Sequence, residues 1–351
     1  MARFGPVLRS SVAAGALVAL AAISFPGRPA RAADPDPIVP GPWKYSGALG
    51  VNLAQSAFSD NWKGGDRGSI LWVGNANFTM QRQFGMKYNL SNSLKLAYGQ
   101  TSRQVEDPND PASLAWDRPL KSTDAIALES LSRWTLNRFA DPFFAFNAES
   151  QFRDESSPLG TIWINPVKLK ETAGIARVIE KTEESEILSR VGFGFRQTIG
   201  QSFVNPPTDE KGSFSSNDGG FDWTTTVKKP LLRKRVLYKA TLAFFKPVFY
   251  SEKDALEAYD ADRLLLDPAH EEVADYWKAV DVNWENSFTA QITKALSVSL
   301  IAQLVYDKFD TAANLTIPLA DPALDAEIAR NVRKAGQFRE LLALGLTYQL
   351  F

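Results

Sequence analysis

Met86-Lys87-Tyr88-Asn89-Leu90-Ser91-Asn92-Ser93-Leu94-Lys95-Leu96-Ala97-Tyr98 is the stretch on which the fold turns. Met86, Tyr88, Leu90, Leu94, Leu96 and Tyr98 hold one phase. Lys87, Asn89, Ser91, Ser93 and Lys95 hold the other, and Asn92 alone breaks the rule. Successive side chains of a strand point to opposite faces, so this is a strand with one apolar and one polar face. The pattern recurs. Leu49, Val51 and Leu53 alternate with Gly50 and Asn52, Trp72, Ala76 and Phe78 with Asn75 and Asn77, and Phe144, Phe146 and Ala148 with Asn147 and Glu149. Val191, Phe193 and Phe195 oppose Arg190 and Arg196, Val282, Trp284 and Phe288 oppose Asp281, Asn283 and Glu285, and Leu296, Val298 and Leu300 oppose Ser297 and Ser299. Weaker versions occupy 122–136, 167–180, 220–229 and 235–248. With a last segment at 338–350 the total is about twelve, an even number as single-chain bacterial barrels require.

The connections sort by length. Those near 82–85, 137–142, 181–185, 230–234 and 293–294 are short, and the intervening ones, 58–68, 100–121, 154–166, 200–219, 249–276 and 308–337, are long. Short periplasmic turns alternating with long extracellular loops produce this rhythm. The expected fold is therefore an all-β, antiparallel, up-and-down transmembrane barrel. Asp321-Pro322 opens a helix with Leu324, Ile328 and Val332 on one face, ended by Gly336, and Asp267-Pro268 opens a similar segment with Glu271 and Glu272 in its first turn. Both are expected to pack over the barrel rim.

Alternation alone does not say which face meets water. A barrel of about eight strands is filled by side chains, whereas a wider one holds water or a plug. The polar phase of about twelve strands cannot be a dry core, because each unpaired buried polar group costs several kcal/mol. It must line the lumen, and the apolar phase must meet lipid. The lumen-lining set read in this way is Lys87, Lys95, Glu129, Arg133, Glu149, Arg190, Arg196, Lys239, Asp281, Glu285, Asp307 and Arg339. Its signs nearly balance, so no ion selectivity can be read from it. Tyr45, Tyr88, Tyr98, Trp134, Phe144, Trp223, Tyr306 and Tyr348 fall on the outer phase near strand ends, as interfacial girdles do.

Composition fits export. Residues 1–32 read as a signal peptide, with Arg3 and Arg9, an uncharged apolar run from Val12 to Ile23, and Ala30-Arg31-Ala32 as the cleavage site. A Pro-rich periplasmic leader follows at 33–44, then the barrel at 45–351. Removing four arginines leaves 35 basic against 40 acidic side chains, a net of −5 that gives no reason to expect nucleic acid. The absence of cysteine excludes disulfides and thiol chemistry.

The chain ends Ala343-Leu344-Gly345-Leu346-Thr347-Tyr348-Gln349-Leu350-Phe351, which resembles the C-terminal insertion signal of outer-membrane barrels. Gly345, Tyr348 and Leu350 match its spacing, and Phe351 trails one residue out of phase. That resemblance implies the outer membrane of a Gram-negative bacterium. It also implies outer-membrane lipid, periplasmic chaperones and the barrel-assembly machinery as partners. Phe58-Ser59-Asp60-Asn61-Trp62-Lys63-Gly64-Gly65, the strand Asn89 to Tyr98, and Leu120-Lys121-Ser122-Thr123-Asp124 together resemble a family of uncharacterised outer-membrane proteins described only as a domain of unknown function. The likeness covers roughly 45–200 and implies a barrel, with no activity attached.

Catalytic signals are nearly absent. His270, the only histidine, has no serine beside it in a hydrolase-like motif and reads as a solvated loop residue. Asp260, Asp262, Glu271 and Glu272 lack the spacing of a calcium loop and read as solvated charge. No cofactor is expected. The functional expectation is a closed or narrow barrel whose loops carry any binding role. Passive passage of small solutes is the alternative, and an outer-membrane hydrolase a more distant one.

Overall fold

The computed structural model describes residues 40–57, 67–107, 110–136, 139–157, 159–182, 184–203 and 210–350. The expected signal peptide, the Trp62-Lys63-Gly64-Gly65 turn and Phe351 lie outside them. In chain order the strands are β1 (Lys44–Ser56), β2 (Ser69–Phe84), β3 (Tyr88–Asp107), β4 (Asp110–Trp116), β5 (Leu120–Trp134), β6 (Asp141–Ser150), β7 (Arg153–Ser157) and β8 (Gly160–Trp163). They continue with β9 (Val167–Lys181), β10 (Glu186–Phe203), β11 (Lys211–Leu231), β12 (Val236–Tyr250), β13 (Asp281–Gln291), β14 (Leu296–Tyr306) and β15 (Gln337–Gln349).

Twelve of these close a ring of antiparallel neighbours, β1-β2-β3-β5-β6-β9-β10-β11-β12-β13-β14-β15 and back to β1. The seam is a full ladder, with Ala48 opposite Gln349 on β15 and opposite Asn77 on β2. Closure removes every edge along the ring, so backbone N–H and C=O groups find partners without water. β4 pairs only with the far end of β3, and β7 with β8, both beyond the ring.

Tyr45, Leu49, Val51 and Leu53 are exposed on β1, and Phe338, Leu342, Leu344, Leu346 and Tyr348 on β15. The outer surface is therefore continuously apolar across the seam. Two lipid-side polar groups are satisfied locally. Trp223 Nε1 donates to Ser189 Oγ at 3.0 Å, and the Tyr238 hydroxyl donates to Asn286 Oδ1 at 2.8 Å. Near the short turns Trp43, Phe84, Tyr88 and Trp134 run edge to edge, with centroids 5.6, 5.6 and 5.3 Å apart, a segment of the expected girdle.

The length sorting of connections is altered. The expected long connection at 200–219 is mostly strand, since β10 and β11 pair out to Phe203 opposite Lys211. The one at 100–121 is largely the β3–β4 hairpin, with Gln104 opposite Trp116. These stretches are rich in Ser, Gly and Gln, so facial alternation fades while backbone pairing continues. One end of the barrel is thus marked by strands that overshoot the rim, the other by tight turns such as Gly85-Met86-Lys87, where Gly85 takes φ +60°.

The helices also differ from expectation. α1 (Lys253–Leu266) precedes Asp267-Pro268, so that pair ends a helix where it was expected to start one. A residue before proline is pushed out of the α region, and Asp267 is extended at φ −139°, ψ 105°. Asp267 Oδ1 then accepts from Ala269 N at 2.9 Å as a turn. α2 (Ala323–Asn331) begins where expected, with Asp321 Oδ1 accepting from Ala323 N at 2.8 Å. It stops before Gly336, because Val332 leaves the helix to bridge Phe309.

Candidate functional site

Among the described residues the barrel wall carries one small buried apolar cluster, Phe143, Ala145, Ala176 and Leu188. The main buried core lies in the two longest loops, 251–280 and 307–336. Tyr250, Leu256, Tyr259, Val273, Trp277, Phe309, Ala313, Leu324 and Ile328 form one cluster, with Leu256 wholly buried. Polar contacts complete it. Asp260 accepts from the backbone N–H of Val273 (2.8 Å) and Ala274 (2.7 Å) and meets His270 Nε2 at 3.0 Å. His270 stands edge-on to Tyr259, centroids 5.6 Å apart, so it is a packed residue and not the solvated one expected. Arg263 Nε donates to Asp325 at 2.7 Å, joining α1 to α2. Burial would raise the Asp325 carboxyl, but the Arg263 bond overrides it and holds the group below the usual carboxylate range. The hydrogen bond to Glu271, helped by burial, pushes the Tyr276 phenol up to about 12. Of the expected acidic group, Asp262 pairs with Arg263 and Glu271 with Lys334. Among the described residues no acidic or histidine cluster is arranged to hold a metal.

This folded cap reaches into the barrel. Asp310 Oδ1 lies 2.8 Å from Lys168 Nζ on β9, Thr311 O accepts from Ser216 Oγ on β11 at 2.5 Å, and Asn314 Nδ2 donates to Ser202 Oγ on β10 at 2.7 Å. The loop leaves β14 and returns to β15, five and six strands from β9 around the ring. Contacts with β9 to β11 therefore require it to cross the mouth. Burial raises the Asp310 carboxyl less than the Lys168 charge and hydrogen bond lower it, so it stays below its usual range.

Below the cap, ion pairs bridge strands that are not neighbours, which only a path through the lumen allows. Glu129 on β5 meets Arg190 on β10 at 2.8 Å, three strands away. Arg196 on β10 holds Asp218 on β11 through Nε (2.9 and 3.0 Å) and reaches Asp281 on β13 at 2.8 Å, with its guanidinium 3.8 Å from the Phe245 ring centroid. Lys170 pairs with Asp222. Arg339 Nη2 donates to Thr123 Oγ1 at 3.1 Å, from β15 to β5. Arg133 lies 4.0 Å from Asp141. Lys95, Lys239, Glu149 and Glu285 sit on the inward phase of their strands, and Asp307 follows β14 with Oδ1 accepting from Phe309 N at 3.2 Å. Lys87 is placed differently from expectation, in the β2–β3 turn.

Sequence reasoning missed Lys168, Lys170, Asp218, Asp222 and Asp310. The alternation Ser216, Asp218, Gly220, Asp222, Thr224 against Phe221 and Trp223 was the available signal for two of them. Asp124, in the Lys-x-x-Asp opening, accepts from Phe152 N (2.6 Å) and Arg153 N (2.9 Å) and so pins the β7–β8 hairpin to the rim. Gly345 faces inward at the seam, where a Cβ would stand 2.7 Å from Asn52 Oδ1 and 3.1 Å from Ser297 Oγ. Tyr348 and Leu350 point outward.

These features define a class: a closed twelve-stranded barrel of the outer-membrane type, with an apolar exterior and a polar, cross-braced lumen. The model of a family described as a protein of unknown function (DUF3078) matches residues 53–155. Among solved structures, the translocator domain of the autotransporter NalP from Neisseria meningitidis is similar at 6% identity, over 87% of this chain and 86% of that one, with a TM-score of 0.36. An outer membrane channel from Pseudomonas putida is similar at 11% identity, over 91% and 100%, with a TM-score of 0.37. A mutant porin of Rh. blastica is similar at 8% identity, over 88% and 100%, with a TM-score of 0.22. No curated protein matches the sequence.

Proposed function

We propose that this chain is a non-enzymatic outer-membrane barrel of a Gram-negative bacterium, closed at its extracellular mouth by a folded cap that carries any recognition role. The contact of Asp310, Thr311 and Asn314 with β9 to β11 carries the reading, because it draws loop 307–336 across the opening. The apolar outer face supplies the contact with lipid. The overshooting strands sit on the side where outer-membrane barrels carry their long loops, so the tight turns face the periplasm. Export through the signal peptide and insertion by chaperones and the assembly machinery belong to the same reading. His270 is read as structural, since among the described residues its ring contacts Asp260 and Tyr259 and no nucleophile is bonded to it.

Planar-bilayer recording tests the proposal. Protein folded well enough to shift on an unheated gel should give no stepwise currents at moderate voltage. Stepwise currents in the full chain would overturn closure and favour passive passage of small solutes.

A further inference from the structure

The outer face is not apolar all the way round. On the wall formed by β3, β5, β6 and β9 one outward row reads Asn92, Ser130, Phe146 and Glu171, each directly opposite the next. Asn92 is the residue that breaks the alternation of its strand. Glu171 shares its phase with Ile175 and Ile179, which are exposed on the lipid side. Its Oε2 is enclosed without a hydrogen-bond partner. Arg177 has the same outward phase, and its guanidinium rests on the Phe139 ring, 4.3 Å from the centroid. Among the described residues no hydrogen bond or ion pair reaches the side chains of Asn92, Ser130, Glu171 or Arg177. Trp223 and Tyr238 find their polar partners within the chain, whereas these four do not. Polar and charged groups left unpaired against lipid are costly, and in membrane proteins they mark contacts with another wall. The same face has relief: Phe144 and Phe146 form a ridge on β6 beside a furrow of Ser130 and Ser132 on β5.

We propose that this wall is the interface of a two-fold dimer of the chain, its axis along the membrane normal between β5 and β6. Such an axis lays each copy's phenylalanine ridge into the other's serine furrow and sets each β9 against the other's β3. The flanking pairs match in depth to within the single bulge of β9. Glu171 lies ten residues from Lys181, where β9 meets its short turn, and Tyr98 lies ten residues from Tyr88, where β3 leaves its own. Arg177 and Asn92 each lie four residues from the same ends. Glu171 therefore faces the second copy's Tyr98, and Arg177 faces the second copy's Asn92. The Tyr98 hydroxyl accepts from Gln100 Nε2 and Arg153 Nη1, both at 3.4 Å, which leaves its own hydrogen to donate to a carboxylate. The Arg177 guanidinium donates to the Asn92 amide oxygen in the same manner. Each contact occurs twice about the axis, so the face is its own complement. The proposal rests on the outward phase meeting lipid and not on closure of the extracellular mouth.

Sedimentation of the full wild-type chain in density-matched detergent should give the mass of two copies. The chain has no cysteine, so a single introduced one reports on its own position. Oxidised in vesicles at low protein-to-lipid ratio, Ser130→Cys should form a disulfide-linked pair, and Leu344→Cys, on the seam wall, should not. Glu171→Leu and Tyr98→Phe should each weaken association about tenfold, the order expected when hydrogen bonds between membrane-embedded walls are lost. The two together should do no more than either alone, because they remove the same contact. A wild-type mass of one copy, cross-linking of Leu344→Cys at the yield of Ser130→Cys, or unchanged association in Glu171→Leu would each overturn the proposal. None of these results depends on whether bilayer currents are seen.

Discussion

The guanidinium of Arg196 sits over Phe245, 3.8 Å from the ring centroid, while its nitrogens are held by Asp218 and Asp281. One residue thus ties β10, β11, β12 and β13 together from inside. The aromatic face and the carboxylates use different parts of the same planar group, which an ammonium cannot imitate.

Arg196→Ala should therefore cost about 3–5 kcal/mol, because the Asp218 carboxylate, nearly inaccessible, is left buried without its counter-charge. Arg196→Lys should recover only part of that. Urea unfolding of refolded barrel in lipid, followed by gel shift, checks both. Equal stability of the wild type and the Ala variant would count against the bracing role.

Leu256 lies wholly buried in the cap core, whose other members come from loops 251–280 and 307–336 apart from Tyr250 at the end of β12. Leu256→Ala should loosen the cap by about 2–5 kcal/mol through the cavity it leaves. The barrel should still migrate as folded on an unheated gel, while segments 251–280 and 307–336 become sensitive to added protease. Loss of barrel migration in parallel would show that cap and wall fold as one unit.

Acid should release the cap from β9. The folded Asp310 carboxyl lies below its ordinary value, so its stabilising contact with Lys168 is complete above the unfolded carboxylate range of about 4. It is lost as pH falls through the lower folded value. Asp325 shifts in the same direction and reinforces the effect. Tryptophan emission, with Trp277 as the buried reporter, should change below about pH 4 in wild-type protein. In Asp310→Asn that acid step should shrink, and an unaltered step would assign it elsewhere.

Leu344 on β15 faces outward, and Gln303 on β14 has the inward phase. Arginine at 344 should cost about 2–4 kcal/mol if that position sits near the bilayer midplane, whereas arginine at 303 should cost much less. Chemical unfolding of the two variants in vesicles of the same lipid makes the comparison. Equal penalties would contradict the assignment of faces.

The strands were legible because Leu94, Leu96 and their counterparts repeat with period two, a signal that survives without knowledge of the partner strand. The cap was not. In α1, Leu265 and Leu266 are exposed at 86% and 74%, so the apolar run Leu264 to Leu266 blurs the helical period that Leu256 and Tyr259 obey. Asp267-Pro268 carries the composition of a helix start and the backbone restriction of a helix stop, and the second prevailed. The cross-lumen pairs lay further out of reach. That Glu129 meets Arg190 depends on how the ring closes and tilts, which single-strand patterns do not encode.

Loop 307–336 comes just before β15, the strand that seals the ring. Its anchors, Lys168, Ser202 and Ser216, belong to walls laid down far earlier in the chain. The latch can therefore engage only once the opposite walls have been brought face to face, so assembly has an order: hoop first, lid last. A hoop that stalls half-made leaves Asp310, Thr311 and Asn314 without their partners, and an unfinished molecule thereby displays polar groups that the finished one ties down.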